Sequence, residues 1–257
     1  MESLPITDNT CWVVDAGFMA YRPAFELQRR LVAARKAGTV PDVLLLCEHP
    51  HVITLGRNGR LEHLLASQHL LRQMNVEFHS TDRGGDITYH GPGQIVGYPI
   101  LNLAAIRRDV AWYMRQLEEV MIRATAEFGL EAGRKAGMTG VWIEASADGD
   151  QPATVEKLAA IGVHLSRWVT SHGFAYNVST DLRYFDLIVP CGIQGKRATS
   201  LEALLGRTVH REEVVPRLPR HFAEVFGREM RPVLLGALEE TLHEHEQARE
   251  VPVHAAV

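Results

Sequence analysis

Apolar and polar residues recur along the chain in two periods, near two and near 3.6, and the switches between them mark its elements. Cys11 to Asp15 (Cys-Trp-Val-Val-Asp) reads as a first strand. Leu27, Leu31 and Val32 then recur at helical spacing within Phe18 to Lys36, a helix that Gly38 ends. A strand is predicted at Val43 to Cys47 and another over 51–55; Leu61 to Met74 reads as a helix and Val76 to Ser80 as a strand. Ile95 to Leu101 is a strongly apolar strand. The longest amphipathic helix is Val110 to Phe128, with Trp112, Leu117, Val120, Met121 and Ala124 on one stripe. Strands at Thr139 to Glu144, Val155 to Leu165 and Trp168 to Val178 follow, the first two joined by a polar hairpin at 147–150 (Ala-Asp-Gly-Asp). From Thr199 the pattern turns helical, over Thr199 to Leu205 and over Arg211 to Phe226 with proline interruptions, before a Glu/His-rich tail.

Strand runs broken by single helices predict an α+β fold, a mixed β-sheet flanked by helices, rather than strict strand–helix alternation. No linker divides the chain and no internal repeat of 20 to 50 residues is visible. The expected organisation is one catalytic domain, 1–228, and a dispensable acidic extension, 229–257.

Composition narrows the class. A chain of 257 residues buries a full core as a single domain, and it holds no run near the roughly 20 apolar residues that a membrane helix needs. The N-terminal residues lack the features of a signal or transit peptide, which predicts a cytoplasmic protein. Cys11, Cys47 and Cys191 are odd in number and scattered, so reduced thiols are expected and at least one is free for chemistry. The net charge of −4 is accounted for by Glu239, Glu240, Glu244, Glu246 and Glu250 against Arg249, leaving a nearly neutral body. That gives no general attraction for nucleic acid, while a local basic patch for an acidic protein partner stays open. Among 27 basic residues only Lys36, Lys135, Lys157 and Lys196 are lysine.

Four places carry candidate chemistry. Cys191, in Leu187-Ile-Val-Pro-Cys-Gly-Ile, follows a proline at the end of an apolar run and precedes a glycine. It is either an inert buried cysteine or a nucleophile, and the second role needs something to lower an ordinary thiol pKa of about 8.5. Lys157, on a strand-like stretch, points to solvent or into a cleft; beside Cys191 its ammonium favours the thiolate. Arg83-Gly-Gly-Asp-Ile-Thr-Tyr-His is either a tight turn with an incidental histidine or a ligand loop, where Gly84 and Gly85 admit close backbone approach and Arg83, Tyr89 and His90 gather a cation, a phenol and an imidazole. Cys47, His49 and His51 lack the second ligand pair of a metal site, and Gly192-Ile-Gln-Gly-Lys196 lacks the spacing of a phosphate loop. His243 and His245 read as solvated.

Arg83-Gly-Gly-Asp-Ile-Thr-Tyr-His-Gly-Pro-Gly-Gln, the segment 157–162, Ser171-His-Gly-Phe-Ala-Tyr-Asn and Ile188-Val-Pro-Cys-Gly-Ile occur in this order. Together they closely resemble the octanoyl-acyl carrier protein:protein octanoyltransferases of lipoate synthesis, from about Leu45 to Leu205. The resemblance implies a biotin/lipoate protein ligase-like fold and a Cys/Lys acyltransferase, with Cys191 as nucleophile and Lys157 as its partner. It further implies an acyl site lined by Arg83, Gly84, Gly85, Asp86, Ile87, Thr88, Tyr89 and His90, by Ala160, Ile161 and Gly162, and by Gly173, Phe174 and Ala175. The implied partners are octanoyl-acyl carrier protein and the lipoyl domains of 2-oxoacid dehydrogenase E2 subunits and of the glycine cleavage H protein. No cofactor, metal, nucleic acid or membrane is expected. One alternative is an ATP-dependent lipoate or biotin ligase on the same fold. Against it, Gly-Gly-Asp is followed here by Gly-Pro-Gly, where such ligases usually carry a further glycine and alanine before Val-Tyr-His-Asp. The other alternative is a non-catalytic module that binds acylated carriers or lipoyl domains, which requires Cys191 or Lys157 to be buried.

Overall fold

A computed structural model describes residue 7 and residues 9–145, 154–189 and 197–250. The predicted hairpin at 147–150 and Cys191 lie outside the described residues. The elements run β1 (Thr10–Phe18), α1 (Tyr21–Ala37), β2 (Asp42–Glu48), β3 (Val52–Leu55), α2 (Gln68–Gln73), β4 (Glu77–Ser80), β5 (Ile87–His90), β6 (Gln94–Ile100), α3 (Leu103–Ile106) and α4 (Val110–Ala126). They continue with β7 (Ala132–Lys135), β8 (Met138–Ala145), β9 (Thr154–Ser166), β10 (Val169–Asn177), α5 (Leu201–Leu205), α6 (Arg211–Val214), α7 (Arg217–Phe226), β11 (Glu229–Pro232) and α8 (Leu235–Glu250).

The fold is α+β, with a mixed sheet flanked by helices. Eight strands lie in the order β11-β1-β2-β6-β10-β9-β8-β7, parallel from β11 to β2 and antiparallel thereafter. A smaller sheet, β4-β3-β5, stands beside it. β2 shows why the layers form. Its alternate residues Val43, Leu45 and Cys47 pack with Leu27 and Leu31 of α1, while Leu44 and Leu46 pack on the other face with Leu117 and Met121 of α4. A strand buried on both faces must read as a continuous apolar run, as Val43 to Cys47 does. α1 stops at Gly38, whose φ of 76° is the left-handed cap that glycine adopts without strain. α4 starts at Asp109, whose carboxylate accepts the Trp112 N–H.

Two predictions need correction. The helix expected over Leu61 to Met74 is a single 3-10 turn at Leu61–His63 followed by the short α2. The Leu65 and Ala66 amides donate instead to the Leu187 carbonyl, and Ser67 caps a fresh helix by accepting the Leu70 N–H. The division expected at residue 228 runs through packed structure. β11 extends the main sheet, pairing Thr10 with Glu229 through to Val13 with Pro232. α8 lays Leu238 (0 % exposed) and Leu242 (1 %) into the core over α1. The acidic count misled because two of its members, Glu239 and Glu246, are partners of Arg30 on α1, and the leucines lie four residues apart on one helix face. Among the described residues no helix is long and apolar enough to cross a membrane.

Packing and charge at this junction differ in weight. Leu238→Ala is expected to cost about 2–4 kcal/mol by the cavity it leaves. Arg30→Ala is expected to cost under about 1 kcal/mol, because its ion pairs are partly solvated. Denaturant unfolding of the two variants measures the difference.

Candidate functional site

A cavity of about 760 Å³ opens over the middle of the main sheet. Three neighbouring strands, β6, β10 and β9, place Gly97, Gly173 and Gly162 side by side beneath it. Gly97 on β6 lies opposite Phe174 on β10, and a Cβ at Gly97 would stand 2.2 Å from the Phe174 ring. On β9, a Cβ at Gly162 would stand 2.9 Å from the Gly84 carbonyl, so the 83–86 loop presses directly on the strand; the Gly84 N–H donates to Val163 O at 2.8 Å. Arg83, 7 % exposed, ties this loop down by donating to the Thr54 carbonyl at 2.6 Å and to its hydroxyl at 2.9 Å. Its charge thus serves the loop's position.

The predicted residues 83–88, His90, Lys157, 160–162 and 173–175 all line this cavity. Tyr89 does not. Its hydroxyl donates to His51 Nδ1 at 2.7 Å and its ring stacks on Tyr184, in the small core behind β5. Cys11 and Cys47 are fully buried, and burial pushes both thiols far above the ordinary range. Neither lines the cavity.

Lys157 stands on β9 with its ammonium 4.6 Å from the centre of the Trp142 ring, a cation–π distance. A register irregularity in β8 at Val141/Trp142 brings that ring opposite Lys157. The irregularity is held from behind: Gly140, at φ 122°, donates its N–H to Glu118, a 2 % exposed carboxylate on α4 that also pairs with Arg115 and Arg134. The Lys157 backbone donates to Arg197 O at 2.9 Å, and its carbonyl accepts the Thr199 N–H at 3.0 Å. On the other side the Val189 N–H donates to His63 O at 2.8 Å, and Ile188 bridges to Leu64. His63, Arg197 and Ala198 line the cavity, so both flanks of the 190–196 stretch are pinned at its edge.

Sequence reasoning missed a polar floor. His90 Nδ1 donates to the Gln94 side-chain oxygen at 2.7 Å, and the Gln94 amide donates to Asn177 Oδ1 at 2.9 Å. The Asn177 amide in turn donates to Thr199 O at 2.9 Å, which completes a chain from β5 to the segment beside Lys157. His49 donates Nδ1–H to Met19 O and accepts from the Tyr98 hydroxyl, each at 2.7 Å. His172, at φ 54° and 2 % exposed, bonds Asp82 at 2.7 Å. Burial drives His49 down to about 4 and His90 to about 3, so both are neutral near pH 7. Burial lowers His172 as well, against the opposing pull of Asp82. The readable signal was periodicity: His49 continues the buried alternation of Val43, Leu45 and Cys47, and His90 ends a buried strand.

This neutrality has a pH consequence. Because folding lowers these pKa values from 6.5, the unfolded chain takes up the protons, and the stability is fully present above about 6.5. It drains as pH falls toward 4 and then 3, at about 1.4 kcal/mol per unit and histidine. Denaturant midpoints at pH 7.5 and 5 are expected to differ, and to differ less in His49→Gln; equal midpoints in the unaltered chain contradict the buried neutral rings.

A family model of the lipoyl protein ligase A/B catalytic domain matches residues 20–223. A relative from Solibacter usitatus named Octanoyltransferase is 54 % identical over 224 residues, covering 87 % of this chain and 96 % of the relative. One of the same name from Koribacter versatilis is 48 % identical over 220 residues, covering 85 % of each. Among solved structures, an archaeal bipartite lipoate protein ligase from Thermoplasma acidophilum, described with its E2 lipoyl domain, superposes with a TM-score of 0.69 at 15 % identity, covering 93 % of this chain and 92 % of that one. A lipoate-protein ligase A bound with ATP gives 0.65 at 14 %, covering 93 % and 94 %. At such identities the likeness speaks for the fold alone.

Proposed function

The chain belongs to the lipoyl protein ligase A/B catalytic-domain family, and on that premise we propose that it transfers its acyl group through a thioester on Cys191 with Lys157 as proton carrier. It is an acyltransferase that moves octanoyl groups in protein lipoylation, with acyl carriers and lipoyl domains as its partners. The finer acceptors in this reading are the lipoyl domains of 2-oxoacid dehydrogenase E2 subunits and of the glycine cleavage H protein, met in the cytoplasm.

The observation that carries the reading is the position of Lys157. Its side-chain nitrogen stands in the wall of the cavity that the three described motifs line, and its backbone is bonded to Arg197, where the chain returns from Cys191. In the first step Lys157, acting as the neutral amine, takes the Cys191 proton and becomes the ammonium, and the thiolate attacks the carbonyl of the carrier thioester. The C–S bond to the carrier breaks, and the leaving sulfur takes the proton from Lys157. In the second step the neutral amine of the acceptor lysine attacks the acyl-enzyme while Lys157 accepts its proton. The amide forms, and the proton returns to the departing Cys191 sulfur. One thioester replaces another before a stabler amide is made, so the sequence needs no ATP. Gly84, Gly85, Gly162 and Gly173 beside Ile161 and Phe174 leave room in the cavity for an alkyl chain, and the neutral His90 adds no charge to a site that binds an apolar tail.

Incubation with octanoyl-carrier alone is expected to add one octanoyl group by intact mass, and hydroxylamine is expected to remove it. Cys191→Ala is expected to give no adduct. Lys157→Ala is expected to slow its formation by about 10²–10⁴-fold, the range for losing a positioned acid–base group. Turnover of free octanoate with ATP by Cys191→Ala would instead establish a ligase.

A further inference from the structure

The mouth of the cavity is marked by lining residues that are themselves exposed, namely Asn58, Val110, Gly137, Thr139 and Arg197. Beside them in sequence stand Arg57, Arg60, Arg108 and Lys135. The acids of the same stretches are occupied. Asp86 accepts the Arg60 N–H and meets His63; Asp109 caps α4 and pairs with Arg107; Glu62 pairs with Arg60 in an exposed contact. With Arg60 paired to Glu62, the remaining Arg57, Arg108, Lys135 and Arg197 still give a chain of net charge −4 a positive rim at its cavity.

The rim is also apolar on its outer side. Leu61 is 64 % exposed, Leu65 60 % and Leu70 38 %, and with Val110 (41 %) they make four of the six exposed large hydrophobics among the described residues. Single exposed leucines need no explanation, but a group of them edged by cations marks an interaction surface. The surface is not a loose loop, since its Leu65 and Ala66 amides are bonded to Leu187 and its His63 carbonyl to Val189, at the foot of the stretch that carries Cys191.

We propose that this leucine-bearing basic face is the docking surface for the acidic carrier protein that delivers the acyl thioester, an inference that rests on the function proposed above. Complementary charge selects an acidic partner and speeds its encounter, while the leucines supply the apolar contact that holds it. Leu61, Leu65 and Leu70 are exposed but do not line the cavity, so a partner seated on them sits beside the mouth and reaches the cavity by a pendant arm. A thioester-bearing carrier has such an arm. A lipoyl domain, whose reacting group is one lysine side chain, must bring its own backbone up to the mouth.

The test compares acyl-enzyme formation from octanoyl-carrier and from octanoyl-pantetheine, an uncharged thioester with no protein attached, using Leu61→Ser/Leu65→Ser and Arg57→Glu proteins whose thermal midpoints match the parent chain. Both variants are expected to raise KM for octanoyl-carrier by about tenfold, a loss of about 1.4 kcal/mol, and to leave kcat/KM for octanoyl-pantetheine unchanged. Arg57→Glu is also expected to flatten the salt dependence of the carrier KM. An unchanged carrier KM, or an equal loss with both thioesters, overturns the assignment. So does normal loading with impaired transfer to a lipoyl domain, which gives the face to the acceptor. If the parent chain is acylated by neither thioester, the thioester relay itself fails and the docking surface falls with it.

Discussion

The approach of the 83–86 backbone to the middle of β9 is the contact on which the site depends. A loop can lie that close to a sheet only where the strand offers no Cβ, and Gly162 meets Gly84 for this reason. The Gly84 N–H bond to Val163 makes the loop almost a further strand laid across the sheet's face, and Arg83 anchors it to Thr54 of the small sheet. From that one junction follow the roof of the cavity and the placement of His90 at its floor.

Charge is arranged by depth. Cations that position backbone, such as Arg83, are buried against carbonyl oxygens, whereas the imidazoles beneath the cavity are kept neutral by burial and by defined hydrogen bonds. Glu118 is the deepest acid near the site, and its partners Arg115, Arg134 and the Gly140 N–H show that its cost of burial is met by several donors at once. The result is a cavity whose exposed wall is mostly apolar, with Ile87, Val96, Ile161, Val163 and Phe174 among its lining, as an alkyl chain requires. Lys157 is the cation that meets it from the sheet, resting on the Trp142 ring.

Much of this was legible in the sequence. Strand alternation and the helical stripes gave the sheet and both large helices, because each buries a face against a layer that does not depend on detail. The described residues of the first three motifs largely line one cavity, while Tyr89 points to the small core behind β5. What escaped had a different physical cause. The break within 61–74 is decided by the Leu187 carbonyl, more than a hundred residues away, which no local period encodes. The C-terminal helix was hidden by its own glutamates, since a charge count does not show that Glu239 and Glu246 face Arg30 while Leu238 and Leu242 face inward. The floor joins His90 and Gln94, near neighbours in the chain, to the distant Asn177, and the antiparallel pairing of β10 with β6 is what sets Asn177 opposite Gln94.

The pairing of β11 with β1 bears on how the chain comes to be made. β1 emerges early from the ribosome, yet the partner along its outer side, Glu229–Pro232, is synthesised only after every other strand. During translation the apolar edge from Cys11 to Val13 therefore has its backbone donors and acceptors uncovered, the kind of edge that recruits stray strands from other molecules. Until that closing segment arrives, the uncovered edge leaves the nascent sheet open to misassembly.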